Sequence, residues 1–415
     1  MYDIYLKQIT IDKVRHLENL QIPISEEKKH LILTGKNGSG KTSLLKALSG
    51  QLDSLSMNGD FYEIEQEINN AKNRINTLIE RGESEKRISE QKNYLNKKEK
   101  NLQNLKHGLT LDFNSSYYQI KPHFLTGEFV LAYYNATRKF ETVIPKHVEK
   151  VQLRNNYAIQ EMPSKEFVKY ILDLKVTEAL LKSSGKHERA ERIAAWFVNF
   201  EALLKKIFDD ASVRLIFDEE TFLFTIAQDG KEPFDFNKLS DGFAAILDIV
   251  VDLMIRMEKH LNGRFQFDLP GIVLIDEIET HLHLELQKNV LAFLMNLFPN
   301  IQFIVSTHSP FILSSAENAV IYDLENHTIV KDGLTDLPYD GIVRGYFQVD
   351  DLSKNLRNKY ERYKKLISQK EISDDEMEEI SKLEFYLDEI PDYLALEIST
   401  EYHRLKAKFE EREDL

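Results

Sequence analysis

Residues 31–48 read LILTGKNGSGKTSLLKAL, and no other stretch restricts the fold as strongly. An apolar run breaks at a glycine-rich loop and resumes as a helix, so the segment is a strand, a tight turn and a helix start. From Gly35 to Thr42 the loop satisfies G-x-x-x-x-G-K-[ST] at every fixed position. Glycines at 35, 38 and 40 let backbone N–H groups turn inward, so Gly35, Lys36, Asn37, Gly38, Ser39 and Gly40 can line the phosphates of a nucleotide. Lys41 can reach the β- and γ-phosphates, and the Thr42 hydroxyl can bind Mg²⁺. ATP and Mg²⁺ are the expected cofactors.

At 415 residues the chain has room for two or three structural units. It contains no cysteine, which removes disulfides, thiolate zinc sites and a cysteine nucleophile, and which fits a reducing cytoplasm. The opening MYDIYLKQITIDKV alternates like a strand and lacks the apolar stretch of a signal peptide, and no later run has the length of a membrane span. A soluble cytoplasmic protein without a membrane partner is the expectation. The net charge of −14 argues against general affinity for DNA or anionic lipid, because such binding neutralises phosphates with Lys and Arg. Residues 81–107 nevertheless lean basic, and the stretch from Asp374 to Asp392 is strongly acidic.

Periodicity divides the remainder. Ile64, Ile68, Ala71, Ile75 and Leu78 follow a heptad seam; Gly82 interrupts it, and Ser84 can cap a second helix carrying Ile88, Leu95 and Leu102. This predicts an antiparallel helical hairpin resembling a short coiled coil over 61–108. From Leu109 to Lys139 the pattern is strand-like, and helices follow at SKEFVKYILDL and HERAERIAAWFVNFEALLKKIF. The second of these carries Ile193, Phe197, Phe200, Leu204 and Phe208 on one face, beside Trp196. VRLIF and TFLFTIA read as a hairpin, NKLSDGFAAILDIVVDLMIRME as a long helix, and GIVLIDE and IQFIVSTH as strands buried on both faces. From about Asp350 the chain is helical and polar.

Three further motifs carry chemistry. Asp276 ends a buried strand where it can hold a Mg²⁺ water, and Glu277 follows it, placed to activate an attacking water. His308, beyond another buried strand, can hydrogen-bond a γ-phosphate. Ser240, in LSDGF, can cap a helix whose free N–H groups would receive an anion. Because one phosphate loop already covers the nucleotide, a second such helix end suggests closure between two subunits. His281 and His283, two apart on an expected helix, point to different sides and make a poor zinc chelate.

In this order GKNGSGKTS, LSDGF, GIVLIDE and STHSP resemble the Walker A loop (through Ser43), signature, Walker B strand and switch histidine of the ABC-type ATPases. The likeness is to the branch of SMC, RecF and overcoming-lysogenization-defect (OLD) proteins, over about residues 1–50 and 109–325. It implies an α/β P-loop head of the ABC type, with the hairpin inserted and a helical C-terminal extension. The implied divisions are 1–60, 61–108, 109–349 and 350–415. It also implies an ATP-sandwiched dimer in which Lys41 of one subunit and Ser240 and Gly242 of the other hold one nucleotide, with Glu277 as base, His308 as γ-phosphate contact and Arg15 near the nucleotide. Asp241 and Phe243 depart from the usual signature, and Gln119 and the Asn135 region are both candidates for the glutamine loop. The set looks most like the stand-alone ATPases of Septu-type and retron-associated anti-phage modules. That implies a homo-oligomeric ATPase controlling a separately encoded effector such as a nuclease. The alternative is a DNA-clamping ATPase of the SMC or RecF kind, with Arg138, Lys139, Lys146, Lys150 and the basic side of 81–107 as DNA contacts.

Overall fold

The computed structural model describes residues 3–55, 61–138, 140–143, 145, 147–261, 264–335, 354–369, 372–388 and 396–410. Lys139 and Lys146 lie outside the described residues. Two compact units divide the chain, Met1–Leu337 and Pro338–Leu415.

The first unit opens with β1 (Leu6–Val14), β2 (Leu17–Pro23) and β3 (His30–Thr34), followed by α1 (Lys41–Asp53). Helices α2 (Phe61–Glu80) and α3 (Glu85–Lys106) come next, then β4 (Leu109–Phe113), α4 (Tyr117–Thr126) and β5 (Val130–Tyr134). A helical stretch contains α5 (Phe167–Ser183) and α6 (His187–Phe208), and leads into the hairpin of β6 (Arg214–Phe217) and β7 (Phe224–Ala227). Helix α7 (Asp241–Leu261), β8 (Gly271–Ile275), α8 (Leu284–Leu297), β9 (Ile301–Ser306), α9 (Pro310–Leu313), β10 (Ala319–Asp323) and β11 (Thr328–Val330) complete it.

The central sheet runs β11-β10-β3-β9-β8-β5, parallel except for the β10–β11 pair, and all residues of β3, β5, β8, β9 and β10 are buried. Burial on both faces explains their unbroken apolar sequences. Register places Leu33 beside Ser306 and Ile275 beside Val305, so the carboxyl ends of β3, β8 and β9 share one edge, where open α/β sheets bind ligands. A separate antiparallel sheet, β2-β1-β4, shares a hydrophobic core with the central one. Buried Gln302 of β9 joins the two: its Oε1 accepts from the Leu6 N–H at 2.8 Å, and its Nε2 donates to the Leu6 and Lys29 carbonyls at 2.9 and 2.7 Å.

Local sequence accounts for two departures from expectation. The span 109–139 is not strand throughout, because Ser116 and Gln119 close a capping box that starts α4. The strand β2 lies where no strand was expected; it pairs with β1 through a turn in which Arg15 has φ 54°. The α2–α3 pair packs as a hairpin, with Ile64, Ile68, Ala71 and Ile75 buried and with cross-pairs Lys72–Glu99, Lys98–Glu67 and Lys106–Glu65. On α6 the buried face centres on Trp196, Phe200, Leu203, Leu204 and Ile207, turned from the predicted stripe so that Ile193 and Phe197 are only partly buried.

The second unit contains helices Lys354–Ile367, Asp374–Asp388 and Leu396–Glu410, around a small core that includes Tyr363, Ile380 and Tyr402. Its acidic residues are partly engaged, Glu379 with Arg362 and Glu384 with the Tyr363 hydroxyl. Among the described residues, no helix is long and apolar enough to cross a membrane.

His30, buried on β3, accepts the Phe303 N–H on Nδ1 at 3.0 Å, and burial, with Lys28 adding to it, pushes its pKa down to about 4. The unfolded chain therefore takes up this proton first, so the contribution is intact above about pH 6.5 and is lost as pH falls towards 4. The loss amounts to about 3 kcal/mol at most. His30→Asn, which keeps an acceptor, should flatten the dependence of urea-unfolding free energy on pH over that window by about one proton. An unchanged slope would assign the proton elsewhere.

Candidate nucleotide site

The loop Gly35–Gly40 leaves β3 at the shared edge and enters α1 at Lys41. Gly40 takes φ 101°, so the backbone requires glycine, and a Cβ there would sit 2.9 Å from Leu17 Cδ1, which would have to shift. The Lys41 side chain folds into the loop, its Nζ donating to the Gly35 carbonyl at 2.7 Å and the Lys36 carbonyl at 3.1 Å. Burial pushes its pKa down, against the pull of Glu277, Glu279 and Asp276. Lys36 is exposed and paired with Glu325 at 2.8 Å, which ties the loop to the β10–β11 turn.

Asp276, beyond the end of β8, is buried, and its Oδ1 accepts from Thr42 Oγ1 at 3.2 Å and Ser306 Oγ at 2.6 Å. The same Ser306 hydroxyl oxygen accepts the Glu277 N–H at 2.8 Å. Two strand ends, those of β8 and β9, and the first turn of α1 thus converge on one carboxylate. Hydroxyl and carboxylate oxygens are the donors that a hard divalent cation takes, so Thr42 and Asp276 fit Mg²⁺. Glu277 is partly exposed with φ 46°, an unusual conformation for a non-glycine residue, and its Oε2 accepts from Thr280 Oγ1 at 3.3 Å.

Two residues that sequence reasoning missed hold this edge. Arg138, assigned above to DNA, is 5% exposed and turned inward. Its guanidinium donates to the carbonyls of Asp276 (2.9 Å), Glu277 (3.1 Å), Ile278 (2.9 Å) and Asn135 (3.2 Å), which corrects the DNA assignment. Glu279 accepts from the Thr307 hydroxyl at 2.8 Å and the His308 N–H at 2.5 Å, fixing the turn that carries His308. Burial, and then the nearby Lys41 charge, lower the His308 pKa, which favours a neutral imidazole at pH 7. Only the third acid of DEIE hinted at Glu279; nothing in sequence spacing separated Arg138 from a surface cation.

The other expected residues are dispersed. Ser240 is exposed, and its carbonyl accepts the Ala244 N–H at 2.9 Å at the start of α7. Among the described residues, no hydrogen bond joins it to residues 35–43. Gly242 is buried, and a Cβ there would lie 2.9 Å from the His281 carbonyl, so its backbone packs against that loop. Phe243 stacks on Phe208 at 4.5 Å, which gives this departure from the signature a packing role. His281 and His283 precede α8, His281 with φ 69° and His283 as N-cap, which corrects the expected helix there; the described residues contain no cluster of three or more metal-type ligands. Gln119 is held in its capping box, whereas Asn135 follows β5 beside β8. Arg15 is exposed, and its neighbours His16 and Leu17 line a cavity of about 430 Å³ with Asn37, Ser39 and His327.

Arg138→Ala would leave the buried Asp276 and Ile278 carbonyls without a donor, at a cost of about 3 kcal/mol in urea-unfolding free energy. Arg138→Lys should recover less than half, since an ammonium cannot span this set of carbonyls. A loss below about 1 kcal/mol for Arg138→Ala would mean that the carbonyls find other donors.

Two family models match the chain: AAA_21, an AAA domain of the AbiEii, Type IV TA system kind, over residues 139–314, and ABC_tran, the ABC transporter family, over residues 17–199. The Septu protein PtuA of Bacillus mycoides is 26% identical over 402 residues, covering 92% of this chain and 50% of that protein. The "Retron Vc95 probable ATPase" of Vibrio cholerae is 41% identical over 104 residues, covering 23% of this chain and 19% of that protein. The chain spans half or less of the length of these curated relatives. A solved SMC head bound to the C-winged helix domain of ScpA is 14% identical with TM-score 0.40, covering 80% of this chain and 99% of that one. By its loop, its acidic strand end and the two overlapping family matches, the chain is similar to the ABC-type P-loop ATPases.

Proposed function

We propose that the chain is a Mg²⁺-dependent ATPase whose nucleotide cycle drives association of its own subunits and controls a separately encoded effector, such as a nuclease, in anti-phage defence. The observation that carries the hydrolytic part is the convergence of Thr42 and Ser306 on Asp276, with Glu277 held next to it by Ser306 and Arg138. Lys41 would exchange its loop carbonyls for phosphate oxygens, and the N–H groups of residues 36–43 would complete the cradle. Thr42 and Asp276 would hold the Mg²⁺, which neutralises charge on the β- and γ-phosphates when bound. Glu277 would take the proton of the attacking water, and neutral His308, fixed by Glu279, would hydrogen-bond the γ-phosphate. Of the two glutamine-loop candidates, Asn135 is favoured for that phosphate, because Gln119 is engaged in its capping box. The cavity beside Arg15 and His16 would take the base and ribose.

Association is inferred from Ser240. An exposed hydroxyl at the start of a 21-residue helix offers an anion site that the chain's own loop does not use. The defence role is supported by relatives that bear Septu and retron names. The clamp reading loses Arg138 to the interior, and Lys150 is paired with Asp173 at 2.9 Å.

Glu277→Gln should bind ATP, hydrolyse it at least about a hundredfold more slowly, and accumulate an ATP-dependent dimer or larger assembly on size exclusion. Hydrolysis at the wild-type rate would remove Glu277 as the base. Lys41→Ala and Ser240→Arg subunits, each inactive alone, should regain part of the activity on mixing, through one intact composite site. If mixed dimers form without recovery, Ser240 acts within its own subunit.

A further inference from the structure

Helix α7 carries a carboxylate that no step of the hydrolysis above uses. Asp248, about two turns beyond the start of the helix, is 1% exposed, and among the described residues its Oδ2 has no hydrogen-bond partner. A buried acid is costly unless a charge answers it. The Ser164 side chain bonds the carboxylate, Asp252 repels it from one turn further along α7, and Arg138 and then Lys165 attract it. Asp252 is itself engaged, by Arg256 at 2.7 Å, the Tyr134 hydroxyl at 2.7 Å and the Ser164 N–H at 3.1 Å. Lys165 is exposed, so Arg138 is the buried cation of this group.

Arg138 has the matching need. Its Nη1 and Nη2 are spent on the carbonyls of Asn135, Asp276, Glu277 and Ile278, while its Nε is buried with no acceptor among the described residues. Those four acceptors are neutral and leave the guanidinium charge unbalanced. Asp248 is the foremost charge that balances it, ahead of Glu279, Asp276 and Glu277. An unpaired donor and an unpaired acceptor, both buried, thus belong to two side chains of opposite charge that attract each other. Native interiors rarely leave such atoms unpaired, and a charge-assisted bond between them is among the stronger kinds. Arg138 Nη2 also donates to the carbonyl of Glu277, where φ is 46°, so the hold on Arg138 bears on how firmly that turn presents the Glu277 carboxylate.

We propose, on the reading of Glu277 as the base, that Asp248 is a positioning residue for hydrolysis: its carboxylate closes on Arg138 Nε, fixes the guanidinium against the carbonyls of 276–278, and so steadies Glu277 towards the attacking water. Protonation of Asp248 releases that hold and slows hydrolysis without loss of nucleotide binding.

Burial pushes the Asp248 pKa up to about 7, so both forms are accessible to experiment. The full chain and Asp248→Asn, which keeps the shape without the charge, would be compared for Mg²⁺-dependent ATP hydrolysis from pH 6 to 8 and for amide hydrogen exchange of residues 276–280. The wild-type kcat should rise about tenfold around pH 7, whereas Asp248→Asn should stay at the acid level with the KM for ATP changed less than about twofold. Exchange of 276–280 at pH 8 should be about fivefold or more faster in Asp248→Asn. In the wild type alone, protection of the same residues, corrected for intrinsic rates, should be higher at pH 8 than at pH 6, a comparison that needs no variant to fold. Arg138→Lys with Asp248→Asn should be no slower than Arg138→Lys, because the acid acts through the guanidinium. A rise near pH 7 that survives in folded Asp248→Asn would belong to another group, such as His308, and would overturn the proposal, as would wild-type protection of 276–280 that is equal at the two pH values. No hydrolysis by the wild type at any pH would overturn the ATPase reading itself, and this role of Asp248 with it.

Discussion

The contact between Arg138 and the loop after β8 is the interaction on which the nucleotide edge depends. The Arg138 guanidinium donates to the backbone carbonyls from Asp276 to Ile278, and an unpaired buried carbonyl is costly. One planar guanidinium serves three of them and a fourth at Asn135, which a lysine could not do. Its support offsets the left-handed backbone at Glu277, a conformation that costs about 1–2 kcal/mol in a non-glycine residue. Burying that charge has its own penalty, seen as a lowered Arg138 pKa, with Asp248 the foremost opposing charge. Asp248 in turn is raised to about 7, chiefly by its own burial on α7. Asp276 and Glu277 on one side and helix α7 on the other are therefore linked electrostatically through one side chain.

The elements whose chemistry is local were legible in the sequence, and those whose chemistry is assembled from distant segments were not. The loop at 35–42 and the apolar strands before Asp276 and His308 state their structure in consecutive residues, because a strand buried on both faces needs an unbroken apolar run. Arg138 and Glu279 look like any surface charges until the fold brings carbonyls and a backbone N–H to them. Helix α4 was hidden because its apolar content also suits a strand, and the Ser116–Gln119 box decides the matter. The misplaced helix start at His281 has a comparable cause: positive φ is not written in a histidine's side chain, and the loop is shaped by close approach to Gly242.

The hairpin of α2 and α3 and the C-terminal helices show a different balance. Their polar surfaces carry many ion pairs between exposed partners, each contributing little, while a few residues such as Ile64, Ile68, Tyr363 and Tyr402 supply the burial. Periodicity predicts such elements well because they need little beyond their own seam. The central sheet is the converse case, since Gln302 is a polar residue placed near the start of a buried strand to bind the backbone of β1 and of Lys29, just before β3.

Helix α7 has sixteen of its 21 residues buried, and Asp252 and Arg256 bind it to Tyr134 and to the carbonyl of Leu131 on β5. A rod about 30 Å long, clamped in this way along its length, has little freedom to bend. A displacement of the helix near Ser240 would therefore have to carry its far end near Leu261 with it, or else break the packing and hydrogen bonds that lie between.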